Sequence, residues 1–216
     1  MDLLNVMRQI GAGFGSTLII FFFTLLFSMP LGVLVALGRM SKFKPLSVVI
    51  QGIISILRGT PLMLQLIVVF YGPYYLFGVK LSTSWRLYAT LIGFSINYAA
   101  YFAEIFRAGI QSIPIGQTEA ATVLGYTKVQ TFLKIIFPQM IKRTIPPVTN
   151  EVITLVKDTS LAFVLAYQEM FTYAKQVSSA MSSLMPLFVA GLFYYLFNLV
   201  VTIAMDQIEK ALGYYN

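Results

Sequence analysis

The sequence predicts an all-α polytopic membrane protein with about five transmembrane helices. Three observations carry that reading. Hydrophobic residues make up 58% of the 216-residue chain, and mean hydropathy is +0.80. Charged residues make up 11%, less than half of the ~25% found in a soluble domain. Two stretches of 30 residues, between Arg8 and Arg39 and between Lys175 and Asp206, hold no charge. At ~20 residues per crossing, five spans use roughly half the chain and leave only loops and short extra helices. A second, water-soluble domain has no room, so residues 1–216 read as a single transmembrane domain. Cysteine and histidine are both absent. That excludes disulfides, thiolate metal sites and the commonest general base. The net charge of +7 fits loops held on an anionic cytoplasmic leaflet better than nucleic-acid binding.

The first span runs from about Ser16 to Leu37, with Pro30 expected to kink it. The apolar run is too long for a cleaved signal peptide and lacks a small-residue cleavage site. After the basic loop Arg39–Lys44, Val48–Leu57 reads as a lead-in helix, broken at Arg58-Gly59-Thr60-Pro61. Thr60 as N-cap and Pro61 at the first helical position predict a restart, and the second span crosses from Leu62 to about Phe77. A wet loop, Gly78–Arg86, places Trp85 at the interface, and Tyr71, Tyr74 and Tyr75 belong to the same aromatic belt. The third span is about Leu87–Phe106, the fourth Thr144 to about Phe171, the fifth about Leu184–Met205. With the N-terminus outside, inner segments hold nine Lys and Arg and outer segments four (Arg8, Lys80, Arg86, Lys175). The bias predicts a cytoplasmic C-terminus.

Between the third and fourth spans lies the most specific segment, Gln117–Pro138. Glu119-Ala120-Ala121 leads through Leu124 to Gly125, a helix stop. Thr127 and Gln130 then form a capping box for a second short helix ending near Pro138. The small face of Ala120 and Ala121 lets another surface approach closely, and Glu119 puts a charge at the helix start. The plainer reading is an amphipathic helix that packs only on headgroups.

Glu119-Ala120-Ala121, three residues, Gly125, nine residues, Ile135, one residue and Phe137-Pro138 resemble the EAA signature of ABC importer permeases, with Phe137 where leucine is more common. Arg58-Gly59-Thr60-Pro61, Tyr101–Gly109, Gly116-Gln117 and Lys157-Asp158-Thr159-Ser160-Leu161 resemble the polar amino-acid subfamily, the histidine, glutamine and arginine type. The resemblance implies a type I importer fold and a coupling-helix segment at about 114–138. It also implies two permease chains lining one pathway, two cytosolic ATPases below, and an extracellular binding protein that delivers an amino acid. Glu119, Ala120, Ala121, Leu124 and Gly125 would then contact the ATPase, which binds the ATP and Mg. This chain would carry no cofactor. It has no G-x-x-x-x-G-K-[ST] loop, and Gly11-Ala12-Gly13-Phe14-Gly15 precedes a span rather than following a strand.

Charges at bilayer depth cost from ~2.5 kcal/mol upward, so each needs a partner or a wet cavity. Asn97, Tyr101 and Glu104 share one helix face at i, i+4 and i+7, and Glu151, Thr154 and Asp158 repeat the spacing. These two faces are expected to meet across a substrate cavity, with Tyr98 nearby. The plainer reading pairs Glu104 with Arg107 or Arg58, and Asp158 with Lys157 or Arg58. The polar run Lys157–Ser160 predicts a break. A half-helix starting near Ser160 would aim free N–H groups of Ser160 and Leu161 at a carboxylate. Arg58, Glu104, Glu151, Lys157 and Asp158 sum to −1 (two positive, three negative), which favours a basic amino acid. A gradient-driven secondary transporter using Glu104 or Asp158 is the alternative, though no internal repeat of the usual kind is visible. A membrane enzyme lacks its nucleophile–base pair, and a scaffold would not need three acids in the bilayer.

Overall fold

The computed structural model describes residues 3–212, and these form helices joined by short connections, with no strand among them. The order is α1 (Leu3–Ala12), α2 (Phe14–Arg39), α3 (Lys44–Gly59), α4 (Leu62–Phe77), α5 (Trp85–Gln111), α6 (Ile115–Val123), α7 (Lys128–Thr131), α8 (Phe137–Asp158), α9 (Met170–Met181) and α10 (Met185–Leu212). A π-helical turn, Phe132–Ile136, joins α7 to α8, and a 3-10 segment, Thr159–Leu165, follows α8. Only α2 with α1, and α10, are long and apolar enough to cross a membrane unaided, and α3 with α4 forms a third, bent pair. Helices α5 and α8 have 27 and 22 residues, or about 40 and 33 Å at ~1.5 Å per residue. They are long enough to cross; their polar faces lower their hydropathy.

Helices α2 and α5 make the most extensive pairing, and small residues allow it. The buried stripe of α2 includes Thr17, Thr24, Ser28, Gly32 and Ala36, and it meets Ala99 and Ala103 on α5. A methyl group added at Gly32 would come within 2.8 Å of Phe102 Cβ and 3.3 Å of the Ala103 nitrogen. Backbone contact of this kind replaces the hydrophobic driving force that is missing between helices in lipid.

The α3–α4 bend of 111° frees carbonyls, and side chains meet them. Thr60 does not cap α4: its hydroxyl donates to Ile56 O at 2.8 Å and closes α3 instead. Pro61 is the extended N-cap residue, and the helix resumes at Leu62. The threonine bonds backward because the chain must turn before it can wind again. Gln65 Nε2 donates to Leu57 O at 2.8 Å and Thr60 O at 3.1 Å, and Asn97 Nδ2 donates to Leu57 O at 3.2 Å and to Gln65 Oε1 at 3.0 Å.

The second helix of the Gln117–Pro138 segment does not end near Pro138. The capping box of Thr127 and Gln130 starts α7 as expected, but α7 passes through the π turn straight into α8. Proline has no N–H for the Lys134 carbonyl, and the wider turn absorbs that missing bond. Gln139 Nε2 meanwhile donates to Ile135 O at 2.8 Å. Helix α6 begins at Ile115, with Pro114 as its cap residue, so Glu119 sits mid-helix rather than at the start.

The expected fourth span, Thr144–Phe171, is α-helical only to Asp158. No α-helix starts near Ser160, only the 3-10 segment: Thr159 and Ser160 donate back to Val156 O and Lys157 O, which marks the end of α8. The chain turns at Ala166 (φ 51°), and the first free N-terminus belongs to α9. Glu169 caps it, accepting from Phe171 N at 2.7 Å, Thr172 N at 2.6 Å, Thr172 Oγ1 at 2.7 Å and the Tyr194 hydroxyl at 2.9 Å. Helix α1, unforeseen in the sequence, buries Val6 and Ile10 against Met170 and Ala174 of α9 and Val189 and Ala190 of α10 in a second core.

Gly32→Leu should separate α2 from α5. Overpacking at such a contact costs about 1–3 kcal/mol, read as a lower unfolding temperature of the purified chain in detergent; Gly11→Leu, where an added carbon meets nothing, should leave it unchanged.

Candidate functional site

Two places combine the polar residues, and both lie along α5 and α8. The first is a cavity of about 640 Å³ lined by Arg58, Tyr101, Glu104, Arg107, Arg143, Pro147 and Glu151, with Gly109 and Ser112 at one side. Helix α5 runs past Phe106 to Gln111, which places Glu104 and Arg107 one turn apart. Arg107 donates through Nε and Nη2 to the Glu104 carboxylate, the shorter contact being 2.7 Å, and through Nη1 to Gln111 Oε1 at 2.6 Å. This is the pairing expected of bundle glue, and it neutralises Glu104. Arg58 stands over the Tyr101 ring at 5.2 Å, a cation–π contact. Arg143 donates to Ser112 O at 2.6 Å and ties α8 to the end of α5. Gly109 lets Thr144 and Met140 pack directly on the α5 backbone. Glu151 lines the cavity and forms no ion pair among the described residues.

The second place is deeper in the bundle. The buried Tyr98 hydroxyl donates to Asp158 Oδ2 at 2.8 Å, joining the middle of α5 to the end of α8. Ser160 and Leu161 follow in the 3-10 segment, both partly buried. The structure thus brings Tyr101, Glu104 and Glu151 to one cavity and puts Asp158 against Tyr98. Asn97, only 4% exposed, is held at the α3–α4 break and not in the cavity, and Thr154 is partly buried on α8. Lys157 is exposed, so the five charges summed to −1 do not share one space. Glu169, 0% exposed, was missed. Its signal was an acid three residues before Thr172, the spacing of a helix cap.

At the end of the bundle where α5 stops, α6 forms an elbow. Gly125 takes φ 81°, its N–H bonds to Thr122 O, and the N–H of Tyr126 bonds to Ala121 O, both at 3.0 Å. This closure satisfies the last carbonyls of α6. Ala121 is 1% exposed, and α6 packs on the π turn, so the surface its small side chain admits is the chain's own. Glu119, Ala120, Leu124 and Gly125 face outward, with Val123 at 87% exposure and Leu124 at 74%.

Bent spans and charges turned into the bundle mark a transport protein, and the helix arrangement matches the type I ABC importer transmembrane fold. The family model described as "Binding-protein-dependent transport system inner membrane component" matches residues 28–214, and the chain belongs to that family. It is a multi-pass membrane permease subunit of an ABC importer, a role that implies ATPase and substrate-binding partners. It is 35% identical to the arginine transport system permease protein ArtQ of Bacillus subtilis (strain 168), over 93% of this chain and 90% of that protein. It is 36% identical to the L-cystine transport system permease protein TcyB of the same organism, over 88% and 80%. Among solved structures, an amino acid ABC transporter with histidines aligns with a TM-score of 0.86 at 29% identity, covering 98% of this chain and 99% of that one. Nothing among these supports a gradient-driven secondary transporter.

Tyr98→Phe removes the hydroxyl that Asp158 accepts from. Loss of a hydrogen bond to a charged group costs about 1.5–3 kcal/mol, so the purified chain should unfold at a measurably lower temperature. Tyr88→Phe, at an exposed position, should unfold as the wild type does.

Proposed function

We propose that the chain, as one transmembrane domain, lines half of a pathway for a polar amino acid, with a preference for a basic one. A second permease chain, identical or homologous, supplies the other half. The N-terminus lies outside and the C-terminus in the cytoplasm, which puts nine Lys and Arg on the inner segments. Two cytosolic ATPases bind ATP and Mg, and this chain has no catalytic or cofactor site of its own. An extracellular binding protein delivers the substrate. The names of the arginine and cystine relatives support the substrate class; Glu151 and Asp158 facing the bundle interior favour a cation over an acid.

One observation carries the coupling reading. Helices α7 and α8, joined by the π turn, run on as helix from the capping box at Thr127 to Asp158, so the residues beside the elbow and the acids in the bundle lie on one helical shaft. An ATPase seated on Glu119, Ala120, Leu124 and Gly125, with Ala121 fixing the elbow from behind, moves Glu151 and Asp158 as a body. Within the pathway we assign Tyr101, Glu104, Glu151, Thr154, Asp158, Ser160 and Leu161 to the substrate route, and Asn97 to the bend that shapes it.

The test is labelled-arginine uptake by the complex reconstituted with its partners. Excess lysine or histidine should compete better than glutamine or glutamate; the reverse order refutes the basic preference. Glu119→Lys should lower uptake at least about tenfold, about 1.4 kcal/mol of coupling, while the chain still assembles; normal uptake refutes the docking assignment. Glu151→Gln should raise the arginine KM several-fold and leave ATPase binding intact.

A further inference from the structure

With no α-helix starting near Ser160, that segment offers no α-helix N-terminus to the carboxylate of an amino acid. The cavity of about 640 Å³ along α5 and α8 is lined by the guanidinium groups of Arg58, Arg107 and Arg143. Two of them are committed. Arg107 donates to Glu104 and Gln111, and Arg143 donates to Ser112 O. Arg58 forms no hydrogen bond and no ion pair among the described residues; it lies over the Tyr101 ring at 5.2 Å. A ring contact consumes no acceptor, so the planar fork of Arg58 is left for a carboxylate. The acids divide in the same way. Glu104 is held by Arg107, whereas Glu151 has no hydrogen bond and no ion pair among the described residues. Arg58 and Glu151 are near enough for their charges to act on each other, yet no ion pair closes between them. One cavity therefore keeps a free guanidinium on the last turn of α3 and a free carboxylate on α8. Opposite charges held apart on two walls are the complement of a zwitterion.

We infer that Arg58 receives the α-carboxylate of the transported amino acid while Glu151 receives its cationic end, so that Arg58 selects amino acids over amines that lack a carboxylate. The inference rests on the substrate reading proposed above and adds to it the residue that reads the group all amino acids share. The selection has two sources. An amine without a carboxylate leaves the guanidinium without a partner, and its own positive charge is repelled by Arg58.

The complex of permease chains with ATPases is purified in detergent without the binding protein, so that the pathway alone selects. Binding of labelled arginine is compared with binding of labelled agmatine, which keeps both cationic groups of arginine and lacks the carboxylate. The wild type should bind arginine at least about tenfold more tightly than agmatine. Arg58→Gln should weaken arginine at least about tenfold and leave agmatine unchanged or tighter, so that the discrimination collapses. Arg58→Lys keeps the charge without the fork and should fall between. Glu151→Gln should weaken both ligands together. A wild type that binds the two ligands alike, or an Arg58→Gln complex that loses both in the same ratio, overturns the role of Arg58 and leaves the basic substrate standing. If the Gln variant does not assemble, full discrimination by Arg58→Lys overturns it instead. A wild-type complex that binds no arginine refutes the substrate reading and the role of Arg58 together.

Discussion

A polar group inside hydrocarbon must find its partner within the protein, and the interior of this bundle is arranged by that demand. The α3–α4 bend exists because Gln65 and Asn97 reach the carbonyls it exposes. The Phe132–Ile136 turn exists beside Pro138 because Gln139 takes up a carbonyl there. The buried N-terminus of α9 exists because Glu169 fills it. Each of these breaks is matched by a side chain, from Glu169 two residues away in sequence to Asn97 40 residues away. The fold can therefore depart from straight rods while backbone groups freed at these breaks find side-chain partners.

These departures place the chemistry. A straight α3–α4 span would keep Arg58 on a lipid-facing helix; the bend turns it over Tyr101 and into the cavity with Glu151. The extra length of α5 lets Arg107 neutralise Glu104, leaving Glu151 as the cavity acid without an ion pair among the described residues. The close approach of α2 at Gly32 packs α5 backbone to backbone on one side, while Tyr98 and the end of α5 hold α8 on the other.

The spans, the elbow's Gly125 stop and the capping box were legible because they depend on local chemistry: uncharged length, a left-handed glycine, a threonine three residues before a glutamine. The face of Tyr101 and Glu104 was legible from helical period alone. Asn97 shares that period, but its direction was decided by Leu57, 40 residues earlier, which no local pattern reveals. Thr60 read as a helix starter because Thr-Pro usually is one; a sharp turn at that point reversed its bond. Glu169 falls inside the expected fourth span without a role there, and the distant Tyr194 and the packing of α9 make it an interior cap. The π turn had a local cue in Pro138, overridden by the assumption that proline ends a helix when here it is passed through.

The run from Lys128 to Asp158 contains Pro138 toward the elbow and Pro146 and Pro147 just past its middle, and none in the eleven residues from Val148 to Asp158. Each proline deletes a backbone bond, so the shaft lacks bonds near the elbow and at its middle, while the last three turns, which bear Glu151 and Asp158, keep theirs. Glu151 and Asp158 are therefore held at a fixed spacing on one stiff segment of helix.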